Sequence, residues 1–337
     1  MISIISIDAI QKLIHKIGIH DFFLKLISAI ETEFLHWEKF EKSPRVASHS
    51  PEGVIELMPT CDGEYFSFKY VNGHPVNPQR GKLNVVALGL LADVKTGYPL
   101  LISEMTLLTA FRTAATSALA AKYLSRKNPK KIGIIGTGAQ AEFQVLAQHA
   151  LFQVESVKYF DIDPLAMKKF QKNLQNESFQ LIPCNDAKAT LEDVDIITTA
   201  TANKSQEKIL IGEWIKGGLH INGIGGDCPG KTELDKAILS RAKVVVEYLP
   251  QSKIEGEVQQ AAEADYTELC EIIAGKKPGR ENSQEITLFD SVGFAIEDFA
   301  ALKLIYQLSQ QDIVGEKINL IPDLQNPKDL FGLLARI

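Results

Sequence analysis

The opening stretch, MISIISIDAIQKLIHKIGIHDFFLKLISAIETEF, repeats apolar residues at helical spacing and predicts amphipathic helices over the first ~40 residues. From Val46 to Ser103 the period drops to two. The segments GVIELMP, YFSFKYVNG, NVVALGLLAD and YPLLIS read as strands, with Asp62-Gly63, Asn72-Gly73 and Thr96-Gly97 as turns, so this stretch predicts an antiparallel sheet. MTLLTAFRTAATSALAAKYL, from Met105, is an alanine-rich helix that leads to Pro129. Beyond it, apolar runs at Ile132–Ile135, VKYFDID, VDIITTA, GLHINGIG and AKVVVEY alternate with helical segments. That order suits a doubly wound parallel sheet, and the fold class is α/β: a Rossmann-type sheet beside a β-rich unit. The final DSVGFAIEDFAALKLIYQLSQ predicts a long amphipathic helix packed back on the first unit. One domain is therefore expected from residues 1–125 with 303–337, and a Rossmann domain from 126–302.

The junction KIGIIGTGAQA adds chemistry to this outline. Gly136, Gly138 and Ala141 form G-x-G-x-x-A between a buried strand and a helix. The glycines let the backbone turn tightly and approach a pyrophosphate, and Ala141 lets the helix pack on the strand. The N-terminus of that helix favours phosphate charge. Asp161 ends the next strand, slightly beyond the usual interval for a ribose-binding acid. A carboxylate there accepts from ribose hydroxyls and repels a 2′-phosphate, so the expected cofactor is NAD and not NADP. Taken alone, Asp161 could instead start the turn at Asp163-Pro164.

With 337 residues, 45% of them hydrophobic and 23% charged, the chain has enough apolar material for two ordinary cores. A net charge of −6 with scattered Lys and Arg leaves no footprint for nucleic acid. No apolar run approaches the ~20 residues of a membrane span. The N-terminal apolar stretch is broken by Asp8, Lys12, Lys16, Asp21 and Lys25, and reads as helices, not as a signal. Cys61, Cys184, Cys228 and Cys270 form no C-x-x-C pair and the histidines show no ligand spacing, so no metal and no disulfide framework are expected. A reducing cytoplasm is the expected location.

Candidate substrate groups come from the β-rich unit. Arg45 opens it, and Glu56 and Lys69 lie within strands among apolar and aromatic residues, where a lone charge is costly to bury without a partner. For each, a solvated face or an internal ion pair is the competing explanation. Arg112 lies in a helix of small residues, TAFRTAATSA, that would admit a ligand, although an ordinary salt bridge would also account for it. HINGIGGDCPGKTELD presents Asp227 beyond a strand, after Gly223, Gly225 and Gly226. Ligands of doubly wound sheets bind there. Asp227 is placed either for a substrate or as a helix cap. Cys228 has no activating partner beyond His220 and reads as a packing residue, not a nucleophile.

Together RVASHS, VIELMP, FKYVNGHP, LTAFRTAATSALAAKYL, IGTGAQAEFQ, GGDCPGKTEL, IEGEVQQ and LFDSVGFAIEDF resemble the ornithine cyclodeaminase and mu-crystallin family from about Arg45 to Arg336. The intact GGDCPGKTEL brings the resemblance nearest to the bacterial cyclodeaminases within it. The resemblance implies a homodimer joined through the β-rich domains, with substrate held against a Rossmann domain. It implies conversion of L-ornithine to L-proline and ammonia with a tightly held NAD. By it, Arg45, Lys69 and Arg112 bind the substrate carboxylate, Asp227 is the acid/base, and Glu56 orients the amines or Lys69. Cys228 and Gly293 join the substrate-binding set. On the cofactor side it implies Ala139 and Gln140 at the pyrophosphate, Asp161 at the ribose, Thr201 at a strand end, Lys231 beyond the catalytic loop, and Val292 and Gly293 over the nicotinamide. Arg112 also belongs to the cofactor-side set, as does Asn84, which stands where close relatives are expected to carry a hydroxyl. Lysine cyclodeamination, a ketimine reductase, an amino-acid dehydrogenase and a non-catalytic binding protein are the competing functions on the same fold.

Overall fold

Two sheets organise the chain in the computed structural model, which describes residues 1–201, 208–226, 228–312 and 314–336. The strands begin with β1 (Ile2–Ile5), β2 (Val46–Ser50), β3 (Gly53–Cys61), β4 (Tyr65–Gly73), β5 (Ala87–Asp93) and β6 (Pro99–Glu104). They continue with β7 (Lys131–Ile135), β8 (Ser156–Phe160), β9 (Gln180–Pro183) and β10 (Ile196–Thr199). Next come β11 (His220–Gly223), β12 (Lys243–Val246), β13 (Thr267–Glu268), β14 (Thr287–Asp290) and β15 (Glu316–Ile318). The helices are α1 (Ile7–Ile17), α2 (Ile19–Leu35), α3 (Thr106–Leu124), α4 (Ala141–Phe152) and α5 (Pro164–Leu174). Short helices α6 (Lys236–Leu239), α7 (Leu249–Ser252) and α8 (Leu269–Ile273) precede the long α9 (Ala295–Asp312).

The first sheet runs β15-β1-β6-β5-β4-β3-β2 and the second β13-β12-β14-β11-β10-β7-β8-β9. Every pair in the second is parallel, as expected of a doubly wound sheet. In the first, β2 to β6 are antiparallel neighbours, but β1 pairs with β6 in parallel. Helix therefore starts only at Ile7, where Ser6 caps α1 by accepting from the Ala9 N–H at 3.3 Å. Ile2–Ile5 are too far upstream of that cap to join the helix, and bury Ile2 and Ile5 in the sheet instead.

Side-chain alternation splits the first sheet into unlike faces. Its inner face carries Glu56, Met58, Ser67, Lys69 and Val71, all buried. Its outer face carries Ile55, Leu57, Phe66 and Leu88, all exposed. Helix α9 packs on the inner side against β3, β4 and β5 and also against α2 and α3. Close approach depends on Gly89, where a Cβ would lie 2.9 Å from Met105 and 3.0 Å from Leu302. Instead of being amphipathic, α9 is buried on nearly every side over its first half, including Glu297 and Asp298. It starts five residues later than the sequence suggested, because Asp290 ends β14 and residues 291–294 form a loop.

Candidate active site

The carboxyl ends of β7, β10, β11, β12 and β14 share one edge of the parallel sheet, since parallel neighbours point the same way. Two loops from that edge meet the inner face of the antiparallel sheet. Arg45, just before β2, donates from Nη2 to the carbonyls of Val292 at 2.7 Å and Gly293 at 2.8 Å. Its Nη1 donates to Glu56 Oε2 at 3.1 Å, and Glu255 lies 3.5 Å from Nη2. The backbone N–H of Arg45 also donates to Gln251 Oε1 at 2.8 Å. Arg45 thus pins the β-rich unit to the loop after β14, and its Nε is left buried without a partner.

Lys69 on β4 and Arg112 on α3 converge on the first turn of α9. Lys69 is 1% exposed and its ammonium lies 2.8 Å from Asp298 Oδ2. Arg112 donates to Glu297 Oε2 at 2.7 Å. Its Nε lies 3.0 Å from Asp298 Oδ1, yet the N–H is not aimed at that oxygen, so this second contact is ionic and not a hydrogen bond. Glu247, following β12, accepts from the Ser291 hydroxyl at 2.6 Å and from the N–H groups of Val292 at 3.0 Å and Gly293 at 3.2 Å.

Acids outnumber cations in this buried cluster, and titration reflects the imbalance. Burial, aided by nearby Glu247, pushes Glu297 up to about 8. Glu247 is likewise raised, by burial. Burial and the neighbouring Arg112 charge pull Lys69 down to about 8. Burial opposes the charge of Arg112 too, but Asp298, Glu297 and Glu247 outweigh it and raise its pKa. At neutral pH the cluster thus offers fixed guanidinium charge, an ammonium able to release a proton, and a carboxyl able to hold one. Such a set can receive a carboxylate and exchange protons with amines.

At the glycine turn, Gly136 has φ +93 and a Cβ there would meet the Ala200 carbonyl at 2.6 Å, whereas a Cβ on Gly138 would meet nothing within 4 Å. The space over Gly138 is open, at the N-terminus of α4. Ala139 is exposed, and Gln140, which precedes α4, keeps a buried Oε1 without a partner. The open approach at Gly138 and the N–H groups at the start of α4 fit a dinucleotide pyrophosphate, which the Gln140 amide could meet only through its NH2 group. Lys169 on α5 donates to the Gly138 carbonyl at 2.8 Å and to Glu142 at 2.9 Å, neutralising the acid at that helix end. Asp161 follows β8 and accepts from Thr137 N at 2.5 Å, Thr137 Oγ1 at 3.1 Å and Asp163 N at 2.9 Å. Its carboxylate is therefore oriented by the glycine turn itself while also opening the Asp163-Pro164 turn.

Asp227 lies outside the described residues. Around it, Cys228 is half-buried and its carbonyl accepts from Lys231 N at 3.2 Å. Lys231 is buried and donates to the Thr201 carbonyl at 3.2 Å. Thr201 in turn donates from N to Glu233 at 2.9 Å and also bonds it through its hydroxyl. Thr201 and Lys231 are therefore together, whereas Asn84 lies between β4 and β5, its carbonyl accepting from His74 N at 2.9 Å and its Oδ1 buried unpartnered.

Sequence reading brought out Arg45, Glu56, Lys69 and Arg112 but not the acids that hold them: Glu247, Glu255, Glu297 and Asp298. A signal existed, since GFAIEDFA and VVVEYL set acids inside apolar runs. Such acids are buried and partnered, or they are not tolerated.

Residues 8–312 match the sequence model of the Ornithine cyclodeaminase/mu-crystallin family. Ornithine cyclodeaminase of Agrobacterium fabrum (strain C58) is 50% identical over 337 residues, covering 100% of this chain and 95% of that protein. Among solved structures, an archaeal alanine dehydrogenase dimer with bound NAD superposes with TM-score 0.87 at 36% identity, covering 95% of this chain and 99% of its own. A lysine cyclodeaminase, solved for its recognition of L-lysine, L-ornithine and L-2,4-diaminobutyric acid, gives TM-score 0.89 at 27% identity over 98% of this chain and 99% of its own.

Proposed function

This chain belongs to the ornithine cyclodeaminase/mu-crystallin family, and on that premise we propose that it converts L-ornithine to L-proline and ammonia with NAD as a recycled cofactor. The observation that carries the reading is the convergence of Arg45, Lys69 and Arg112 on Glu255, Asp298 and Glu297, which follow the strands of the parallel sheet. Arg45, Lys69 and Arg112 receive the α-carboxylate, and Glu297 and Asp298 hold the last two in register. Glu56, bonded to Arg45, orients the substrate amines together with Lys69. Asp227 exchanges protons with the amines and the imine as general acid/base. Cys228 and Gly293 border the substrate. Gly136, Gly138, Ala139 and Gln140 receive the pyrophosphate, and Asp161 the ribose. Thr201, Lys231, Val292, Asn84 and Arg112 complete the cofactor side. The chemistry NAD supplies when bound is reversible two-electron exchange at the substrate Cα, taken up before ring closure and given back after it.

The same proposal includes a homodimer. Ile55, Leu57, Phe66 and Leu88 are all exposed on the outer face of β3, β4 and β5, an apolar face of the kind that a protein covers with a partner. A domain division at 1–125 with 303–337 and 126–302 is proposed with it, and so is a cytoplasmic setting, which suits cysteines that form no disulfide among the described residues. No helix among the described residues is long and apolar enough to cross a membrane.

The test is product analysis with L-ornithine after bound cofactor has been quantified. Proline and ammonia far in excess of total NAD are expected. Products limited to the NAD present would instead assign a one-way dehydrogenase or reductase.

A further inference from the structure

The segment 256–261 has no part in the proposed reaction, yet its side chains bond the backbone just after position 227 and touch Gly226 just before it. Upstream, Gly225 and Gly226 lie directly on buried carboxylates. A Cβ on Gly226 would come 3.0 Å from Glu257 Oε1, and one on Gly225 would come 2.0 Å from Glu233. Downstream, Gln259 Oε1 accepts from Gly230 N at 2.7 Å, while its Nε2 reaches the carbonyls of Lys231 at 3.0 Å and Gly256 at 2.6 Å. Glu257 then accepts from the N–H groups of Glu233 at 2.7 Å and Leu234 at 3.0 Å. Gln260 closes the set, donating to the Leu234 carbonyl at 3.1 Å and to Glu257 at 3.0 Å.

This grip is itself anchored. Asp290, at the end of β14, accepts from the N–H groups of Glu257 at 2.8 Å and Val258 at 2.9 Å. The next residues, 291–293, are the loop held by Glu247 and bonded to Arg45. One continuous set of bonds therefore links the loop covering the substrate cations to residues 230–234, downstream of position 227, while Glu257 packs against Gly226 upstream of it. Each of Asp290, Glu257, Gln259 and Gln260 uses a carboxyl or amide group to satisfy backbone groups, a geometry that fixes backbone position more tightly than apolar packing does.

We propose that Gln259 and Glu257 are positioning residues for the reaction, holding the backbone that precedes and follows position 227 in place during turnover. This rests on the role given to Asp227 above. A displacement near 1 Å of a reacting group costs about 100-fold in rate, so loosening the loop acts on turnover more than on substrate affinity.

The test is Gln259→Leu in the full-length protein with NAD supplied. The expected result is a kcat for proline formation reduced about tenfold or more, an ornithine KM within about threefold of wild type and a melting temperature within about 2 °C. Gln259→Glu, which keeps the acceptor for Gly230 but turns a carboxylate on the carbonyls of Lys231 and Gly256, is expected to lose turnover likewise. A kcat within about twofold of wild type in either variant overturns the proposal. Hydrogen exchange over residues 225–234 is measured in the same samples and is expected to quicken in both variants; unchanged exchange also overturns it. Should the wild type yield no proline, the reaction assignment falls while the exchange result still decides whether Gln259 holds the loop.

Discussion

Gly293→Ala tests the site with the addition of one methyl group. Gly293 has φ +78, a region where an L side chain costs about 1–2 kcal/mol. The new Cβ would lie 2.6 Å from Arg112 Nη1, 3.0 Å from Nη2 and 3.2 Å from Cζ, against the 3.4 Å at which ordinary contact begins. The shortfall, 3.4 − 2.6, is about 0.8 Å. Neither side can yield freely, because Nη1 is bonded to Glu297 at 2.7 Å and Gly293 is held through its N–H by Glu247 and through its carbonyl by Arg45. The guanidinium must therefore shift by a large fraction of an ångström, enough to cost about 100-fold in kcat/KM. Backbone strain alone lowers the melting temperature by only about 1–3 °C. The assay is proline formation across a range of ornithine concentrations, with thermal unfolding alongside. A kcat/KM within about twofold of wild type at a lowered melting temperature would refute the placement of Arg112 against substrate.

Gly138→Ala meets no protein atom within 4 Å, so it should leave the melting temperature of the cofactor-free protein unchanged while weakening NAD binding at least about tenfold; unchanged affinity by NADH fluorescence titration would remove Gly138 from the pyrophosphate site. Asp298→Asn leaves the Lys69 ammonium buried without a counter-charge and should cost about 3–5 kcal/mol in urea unfolding. A loss under 1 kcal/mol, on the order of a surface pair, would show the pair to be dispensable. Asp290 is raised by burial and by Glu257 from 3.8 to about 8, so between those values the folded state holds a proton the unfolded chain has released, and stability falls as pH rises. Asp290→Asn should flatten the dependence between about pH 5 and 7 by about 1.4 kcal/mol per unit, and parallel curves for the two proteins would refute the shift. Leu57→Lys, on the outer face of β3, should convert dimer to monomer in sedimentation, whereas a persistent dimer would put the interface elsewhere.

The parallel sheet was legible because its strands are short apolar runs set apart by helices, and the glycine turn marks its first crossover. The antiparallel sheet was legible from period-two alternation, which left open whether Glu56 and Lys69 face solvent or the interior; the structure buries both. Strand β1 was not legible, since ISII has no period of its own and becomes a strand by pairing with the distant β6 and β15. The burial of α9 was hidden for a similar reason: its polar residues Glu297 and Asp298 imitate a solvated stripe, and only Arg112 and Lys69 make them internal. Local pattern reports spacing, whereas partners from distant segments decide whether a charge is inside or out. That is why the cations of the site were found as candidates while their acids were passed over.

The ion pairs of the pocket join segments far apart in the gene. Lys69 and Asp298 are separated by 229 positions, and Arg112 and Glu297 by 185. A single drifting codon at any of them strands a charge in the interior, so these positions are expected to be inherited as linked pairs, lost or exchanged together. New substrates can then be explored at lower risk where the chain contributes few buried charges, at the edges of the site. Descent with altered chemistry would keep the frame and rewrite its edges.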